Sequence, residues 1–162
     1  MRAKILVLSD SAAVGTRQDL TGPAVHEFLE GRGWTVAALE VLPDDLERIA
    51  GRLREWSEDG GCDVVFTAGG TGLAPRDIAP EATRRVIDRE IPGFSELMRA
   101  EGLKKTRRAV LSRGLAGLRK GTLIVNLPGS PRGARDSLEV IADLLPHAIE
   151  IAQGRTEHSD GR

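Results

Sequence analysis

Apolar positions fall into short runs that alternate with stripes at helical spacing. Ala3–Leu8 is a short apolar run, as expected of a strand covered on both faces. Ser9–Leu20 is polar and reads as a loop. Thr21-Gly22-Pro23 opens a helix, with proline tolerated in its first turn. Ala24, Val25, Phe28 and Leu29 are its apolar stripe, and Gly31 and Gly33 end it. Trp34–Leu42 reads as a second strand. Asp44, with Glu47 three residues on, resembles a capping box. Leu46, Ile49, Ala50, Leu53 and Trp56 then hold helical spacing to about Glu58, where Gly60-Gly61 stops it. Asp63–Thr67 predicts a third strand, leading into Ala68-Gly69-Gly70-Thr71-Gly72.

The second half is less regular. A helix is expected from Pro80 to about Glu90, a break at Pro92-Gly93, and a further helix from Phe94 to about Lys104. Thr106–Lys120 is the least legible stretch: Ala109–Leu111 suits a strand or a helix end, and Leu115–Leu118 an edge strand. Gly121–Asn126 is a clear strand. Ser130 is placed to cap the next helix, with Pro131 at its first position, and Pro146 restarts or kinks that helical region. Strands alternating with helices predict right-handed crossovers and an α/β fold, a three-layer αβα sandwich around a mostly parallel sheet. Residues 1–154 read as a single domain and 155–162 as a polar, frayed tail.

Composition narrows the partners. Twenty-four acidic and 23 basic residues leave a net charge of -1, which disfavours broad nucleic-acid binding. Aromatic residues are 3% with no tyrosine, which leaves no stacking platform for single strands. Cys62 is the single cysteine, so neither an internal disulfide nor a cysteine-only zinc site can form. No stretch reaches the roughly 18 apolar residues of a membrane span. The apolar run near Met1 is cut by Ser9-Asp10-Ser11 with no small-residue cleavage site after it. It is read as a buried first strand of a cytoplasmic protein.

Candidate chemistry gathers where strands end, the place at which open α/β sheets bind ligands. The Gly69–Gly72 loop is neither a Walker loop nor a dinucleotide fingerprint, since it lacks the Lys-Ser/Thr ending and Pro75 stands where a last glycine belongs. Its glycines allow close backbone approach to an anion, and also suit an ordinary tight turn. Leu127-Pro128-Gly129-Ser130-Pro131 leads into a capped helix, a ready anion site or ordinary capping. Asp44 and Asp77 suit Mg²⁺ held by one or two carboxylates plus phosphate oxygens. On local sequence alone, Asp44 reads as a helix cap and Asp77 as an Asx turn. Asp10 is a weaker member of that group. Arg76, Arg113 and Arg132 lie in or beside these loops and match phosphate geometry.

Eight motifs in order then carry a family resemblance. They are Leu8-Ser9-Asp10, Asp19-Leu20-Thr21-Gly22, Pro43-Asp44, Thr67 to Gly72, Arg76 to Thr83, Pro92 to Glu96, Leu111-Ser112-Arg113 and Asn126 to Pro131. Across roughly Lys4 to Gln153 the chain resembles the molybdopterin adenylyltransferases of the MoaB/MogA type, in molybdenum cofactor biosynthesis. The resemblance implies the molybdopterin-binding fold and a reaction. The terminal phosphate of molybdopterin attacks the α-phosphorus of Mg-ATP, giving adenylyl-molybdopterin and pyrophosphate. It implies Asp44 and Asp77 as catalytic, Mg²⁺-positioning residues. It implies Asp10, Thr67, Gly69, Gly70, Thr71, Gly72, Ser112, Arg113, Asn126, Pro128, Gly129 and Ser130 as substrate-binding. It further implies a homotrimer, with a hexamer as the other family assembly, and hand-over of product to a molybdate-inserting enzyme. The competing expectation is a non-catalytic molybdopterin carrier, which would bind the pterin without turning over ATP.

Overall fold

A computed structural model describes residues 1–155; most of the predicted tail therefore lies outside the described residues. Six strands form one sheet in the order β2-β1-β3-β6-β5-β4. They are β1 (Arg2–Leu8), β2 (Thr35–Leu42), β3 (Val64–Ala68), β4 (Arg89–Glu90), β5 (Ala116–Arg119) and β6 (Thr122–Leu127). The first three and β6 run parallel, whereas β5 pairs antiparallel with both β6 and β4.

Period-two alternation divides the buried residues between two faces. Ala3, Ile5, Val7, Val64, Phe66, Leu123, Val125 and Leu127 face one layer of helices. That layer is α2 (Thr21–Glu30), α5 (Pro92–Lys105), α6 (Pro131–Ile141) and α7 (Leu145–Ala152). Leu6, Leu8, Val65 and Ile124 face the other layer, which holds α3 (Leu46–Glu58) and α4 (Ala79–Arg84). The three-layer sandwich is thus as the alternating pattern predicts. Among the described residues, no helix is long and apolar enough to cross a membrane.

Four local expectations are corrected. The loop after β1 contains a single helical turn, α1 (Asp10–Ala13), capped by Ser9, whose hydroxyl accepts from the Ala12 amide at 3.2 Å. The helix expected from Pro80 to Glu90 stops at Arg84. Beyond it, the amides of Asp88 and Ile91 donate to the carbonyls of Leu118 and Ala116, both at 2.7 Å. Pairing with β5 therefore overrides helical propensity there, and β5 lies inside the sheet rather than at its edge. Pro92 does not break a helix but occupies the first turn of α5, the position where a missing N–H costs nothing. Between α5 and β5, Arg107–Leu111 is a 3-10 helix.

The connectivity creates a switch point. From β1 the chain crosses by α2 to β2 on one side, then returns by α3 to β3 on the other side of β1. The two crossovers lie on opposite faces. Between the carboxyl ends of β1 and β3 they leave the crevice where such sheets bind ligands.

Candidate functional site

Gly69 leaves β3 with φ +113°, and a Cβ there would overlap the carbonyl oxygen of Leu8 at the end of β1. Only glycine lets the two strand ends touch in this way. The loop after β6 closes in from the other side. A Cβ on Gly129 would stand 3.2 Å from the Cα of Gly69, and the Thr21 hydroxyl donates to the Gly129 carbonyl at 2.7 Å. Ser130 caps α6 as predicted, accepting from the Gly133 amide at 3.1 Å.

The loop itself is held by its carbonyls. That of Gly70 accepts from the Ala79 amide at 3.0 Å and that of Thr71 from the Arg113 amide at 2.8 Å. That of Gly72 accepts from Arg113 Nε at 2.7 Å. In a planar trans peptide the following N–H points the opposite way. Among the described residues, the amides of Gly70, Thr71, Gly72 and Leu73 have no protein acceptor. Successive unpaired amides of this kind form an anion-binding concavity.

Three aspartates converge on one flank of this loop. Asp44 Oδ1 lies 3.3 Å from where a Cβ of Gly70 would be, and Asp77 Oδ2 lies 2.8 Å from the equivalent position on Gly72. Asp10 and Asp44 exchange backbone bonds: Asp44 N donates to Asp10 Oδ1 at 3.0 Å, and Asp10 N to Asp44 Oδ2 at 3.3 Å. Arg76 donates to both carboxylate oxygens of Asp10 and, at 3.2 Å, to the Asp44 carbonyl. Arg76 and the Asp44 amide hold the Asp10 carboxyl below its ordinary range. Asp44 is the reverse: burial first, then the neighbouring Asp10 charge, pushes its carboxyl upward.

Neither aspartate is spent as local sequence suggested. Asp45, not Asp44, caps α3, accepting from the Arg48 amide at 2.9 Å. Asp77 makes no forward Asx turn; its Oδ2 reaches back to the Ala74 amide at 2.8 Å. Asp44 Oδ1 is buried and accepts no hydrogen bond among the described residues. An orphaned, desolvated carboxylate oxygen beside a like charge is relieved by a cation, so these residues fit Mg²⁺. Among the described residues there is no group of three or more His, Cys, Asp or Glu arranged to hold a metal. A bound Mg²⁺ would therefore complete its octahedron with phosphate and water oxygens, as is usual for this ion.

On the other flank a cavity of about 390 Å³ opens between α5 and α6. Thr71, Gly72, Ser112, Asn126, Pro128 and Ser130 line its inner end, with Met98, Leu111 and Val140 among its walls. The loop is thus a partition, with acid on one side and a mostly apolar cavity on the other. Asn126 is buried and fully used: its Nδ2 donates to the hydroxyls of Thr67 and Thr83, both at 2.9 Å, and its Oδ1 accepts from the Leu115 amide at 3.2 Å.

Two expected substrate contacts play different parts. The Thr67 side chain is fully buried, so it orients Asn126 rather than facing a ligand. Arg113 does not line the cavity, although Ser112 and Gly114 on either side of it do. Its guanidinium is committed to Gly72, Glu81 and Asp77. Arg132 is exposed, and its nearest acidic group is Asp136 at 3.9 Å. Sequence reasoning missed Lys105, which pairs with Asp136 at 2.6 Å, both lining the cavity. Gly133, Asp136, Ser137 and Val140 share one helical face towards the cavity. That polar stripe is indistinguishable in sequence from a solvated face.

Comparison with known proteins agrees with this geometry. Residues 4–147 match a family described as "Probable molybdopterin binding domain". The molybdopterin biosynthesis enzyme MoaB of Thermus thermophilus superposes with a TM-score of 0.89 and 54% identity, covering 94% of this chain and 96% of that one. The molybdopterin adenylyltransferase of Helicobacter pylori J99 is 40% identical over 154 residues, 93% of this chain and 86% of that protein. The molybdenum cofactor synthesis protein cinnamon of Drosophila melanogaster is 38% identical over 151 residues. There the match spans 91% of this chain but a quarter (25%) of the larger protein. With its motifs assembled at the switch point of this fold, the chain belongs to the molybdopterin-binding domain family of molybdenum cofactor biosynthesis.

Proposed function

We propose that the protein is a molybdopterin adenylyltransferase, transferring AMP from Mg-ATP to the terminal phosphate of molybdopterin. The observation that carries this reading is the partition loop. Four consecutive amides, Gly70 to Leu73, have no acceptor among the described residues; Asp44 and Asp77 lie beside Gly70 and Gly72, and Thr71 and Gly72 line the cavity. Two anionic substrates must meet here, and such a reaction is accelerated chiefly by charge neutralisation and in-line positioning.

In this reading molybdopterin occupies the cavity, its phosphate at the Gly70–Leu73 amides. A phosphate oxygen attacks the α-phosphorus of ATP, a new P–O bond forms, the bond from the α-phosphorus to the bridging oxygen breaks, and pyrophosphate leaves. The nucleophile is ionised near neutral pH, so no side chain need act as a general base. Asp44 and Asp77 would hold Mg²⁺, which would supply charge neutralisation for the triphosphate. Asn126, Pro128, Gly129 and Ser130 shape the opposite wall. The family resemblance further implies a cytoplasmic homotrimer that passes its product to a molybdate-inserting enzyme.

The test incubates the full chain with molybdopterin, ATP and Mg²⁺ and follows adenylyl-molybdopterin and pyrophosphate. Asp44→Asn and Asp77→Asn should each lower turnover by at least about 100-fold while remaining folded. No product from wild type that still binds molybdopterin would sink the enzyme and leave a carrier. Full activity in both variants would refute the role given to the aspartates.

A further inference from the structure

Arg113 ties the glycine loop to the backbone that carries Asp77, through backbone carbonyls of both. Its own amide donates to the Thr71 carbonyl at 2.8 Å. Its Nε donates to the Gly72 carbonyl at 2.7 Å, and one terminal nitrogen to the Asp77 carbonyl at 2.6 Å. The other terminal nitrogen pairs with Glu81 in the first turn of α4. A planar five-donor fork can hold several acceptors in fixed directions at once, which an ammonium cannot. The segment bearing Arg113 is itself pinned from α5, since Arg99 donates to the carbonyls of Ser112 and Gly114 at 3.4 and 3.1 Å.

These contacts sit at both ends of the segment that carries the proposed chemistry. The carbonyls of Thr71 and Gly72 turned toward Arg113 oblige the amides of Gly72 and Leu73 to face the opposite way. The grip on the Asp77 carbonyl fixes the backbone from which its carboxylate projects. Glu81 supplies the counter-charge: burial pushes its carboxyl up, but the Arg113 hydrogen bond and its own amide outweigh that and hold it low.

We propose that Arg113, secured by Glu81, is a positioning residue that aims the amides of Gly72 and Leu73 and anchors Asp77, without touching substrate. The proposal rests on the adenylyltransferase reading for its kinetic consequence, but its structural content stands apart from it. A 1 Å misplacement of groups that meet a transition state costs rate more than ground-state binding.

The experiment has two arms on the full chain. In the first, amide resonances of ligand-free protein are compared between wild type, Arg113→Lys and Glu81→Gln. The peaks of Gly70 to Leu73 and of Asp77 should shift or broaden in Arg113→Lys, and less in Glu81→Gln, with Ile5 and Val125 unmoved. In the second, kcat should fall about 10- to 100-fold in Arg113→Lys, with any rise in the molybdopterin KM much smaller than the fall in kcat. The double variant should be no slower than Arg113→Lys alone, because both substitutions disable one device. Unmoved loop peaks with full kcat would overturn the proposal. So would a raised KM with kcat and peaks intact, which marks a direct substrate contact. If Arg113→Lys does not fold, unchanged peaks and kcat in Glu81→Gln alone overturn it. If wild type makes no adenylyl-molybdopterin, the reaction fails and the resonance arm alone decides the brace.

Discussion

Adjacent aspartates with opposite duties show how much one position matters here. Asp45 caps α3 through the Arg48 amide, whereas Asp44 leaves one buried oxygen without a partner among the described residues. Asp45→Ala should therefore lower stability by about 1 kcal/mol and leave adenylylation intact. Asp44→Asn should do the reverse, abolishing turnover while melting higher at neutral pH. The sign follows from linkage. A carboxyl whose pKa is raised on folding holds its proton more tightly in the native state, so its ionisation costs stability as pH rises. The gain from Asp44→Asn should then disappear below the ordinary aspartate value of 3.8. Melting curves of both variants at neutral and acid pH check this, and a lower melting point for Asp44→Asn at neutral pH would contradict it.

At the level of elements, β6 joins the two halves of the site. Asn126 on that strand bonds Thr67 on β3, Thr83 on α4 and the Leu115 amide before β5. Asn126→Leu strands all three groups in the core, and a buried orphan costs about 1–3 kcal/mol. Urea unfolding of the full chain should show a lower midpoint with an unchanged slope. The strands and caps were legible because their signals are local: the Val64–Phe66 run, the Ser130-Pro131 start, the glycines after Leu29. The stretches from Val86 to Ile91 and from Thr106 to Leu111 were not, because their fate is decided by partners far along the chain. Residues 88 to 91 look helical by spacing, yet the carbonyls of Ala116 and Leu118 capture their amides. The site divides in the same way. The glycine loop, Asp44 and Asp77 could be read from their places at strand ends. The inward turn of Arg113 and the Lys105–Asp136 pair depend on how α5 and α6 stand together.

For the whole molecule, the proposed trimer is the open quantity most easily measured. Native mass spectrometry of the full chain should give three times 17.4 kDa, and a lone 17.4 kDa species at micromolar concentration would refute it. Strand order has a consequence of another kind. The last strand among the described residues, β6, lies between β3 and β5 rather than at a margin. During translation, β3 therefore waits with a bare, wholly apolar Val64-Val65-Phe66 edge until some fifty-five residues later its neighbour emerges. Unpaired edges of this composition template aggregation. Ribosomal pausing anywhere between Ala68 and Leu127 thus prolongs the period in which the nascent chain needs a chaperone. Synonymous codon choice in that window should weigh on yield more than choice after it.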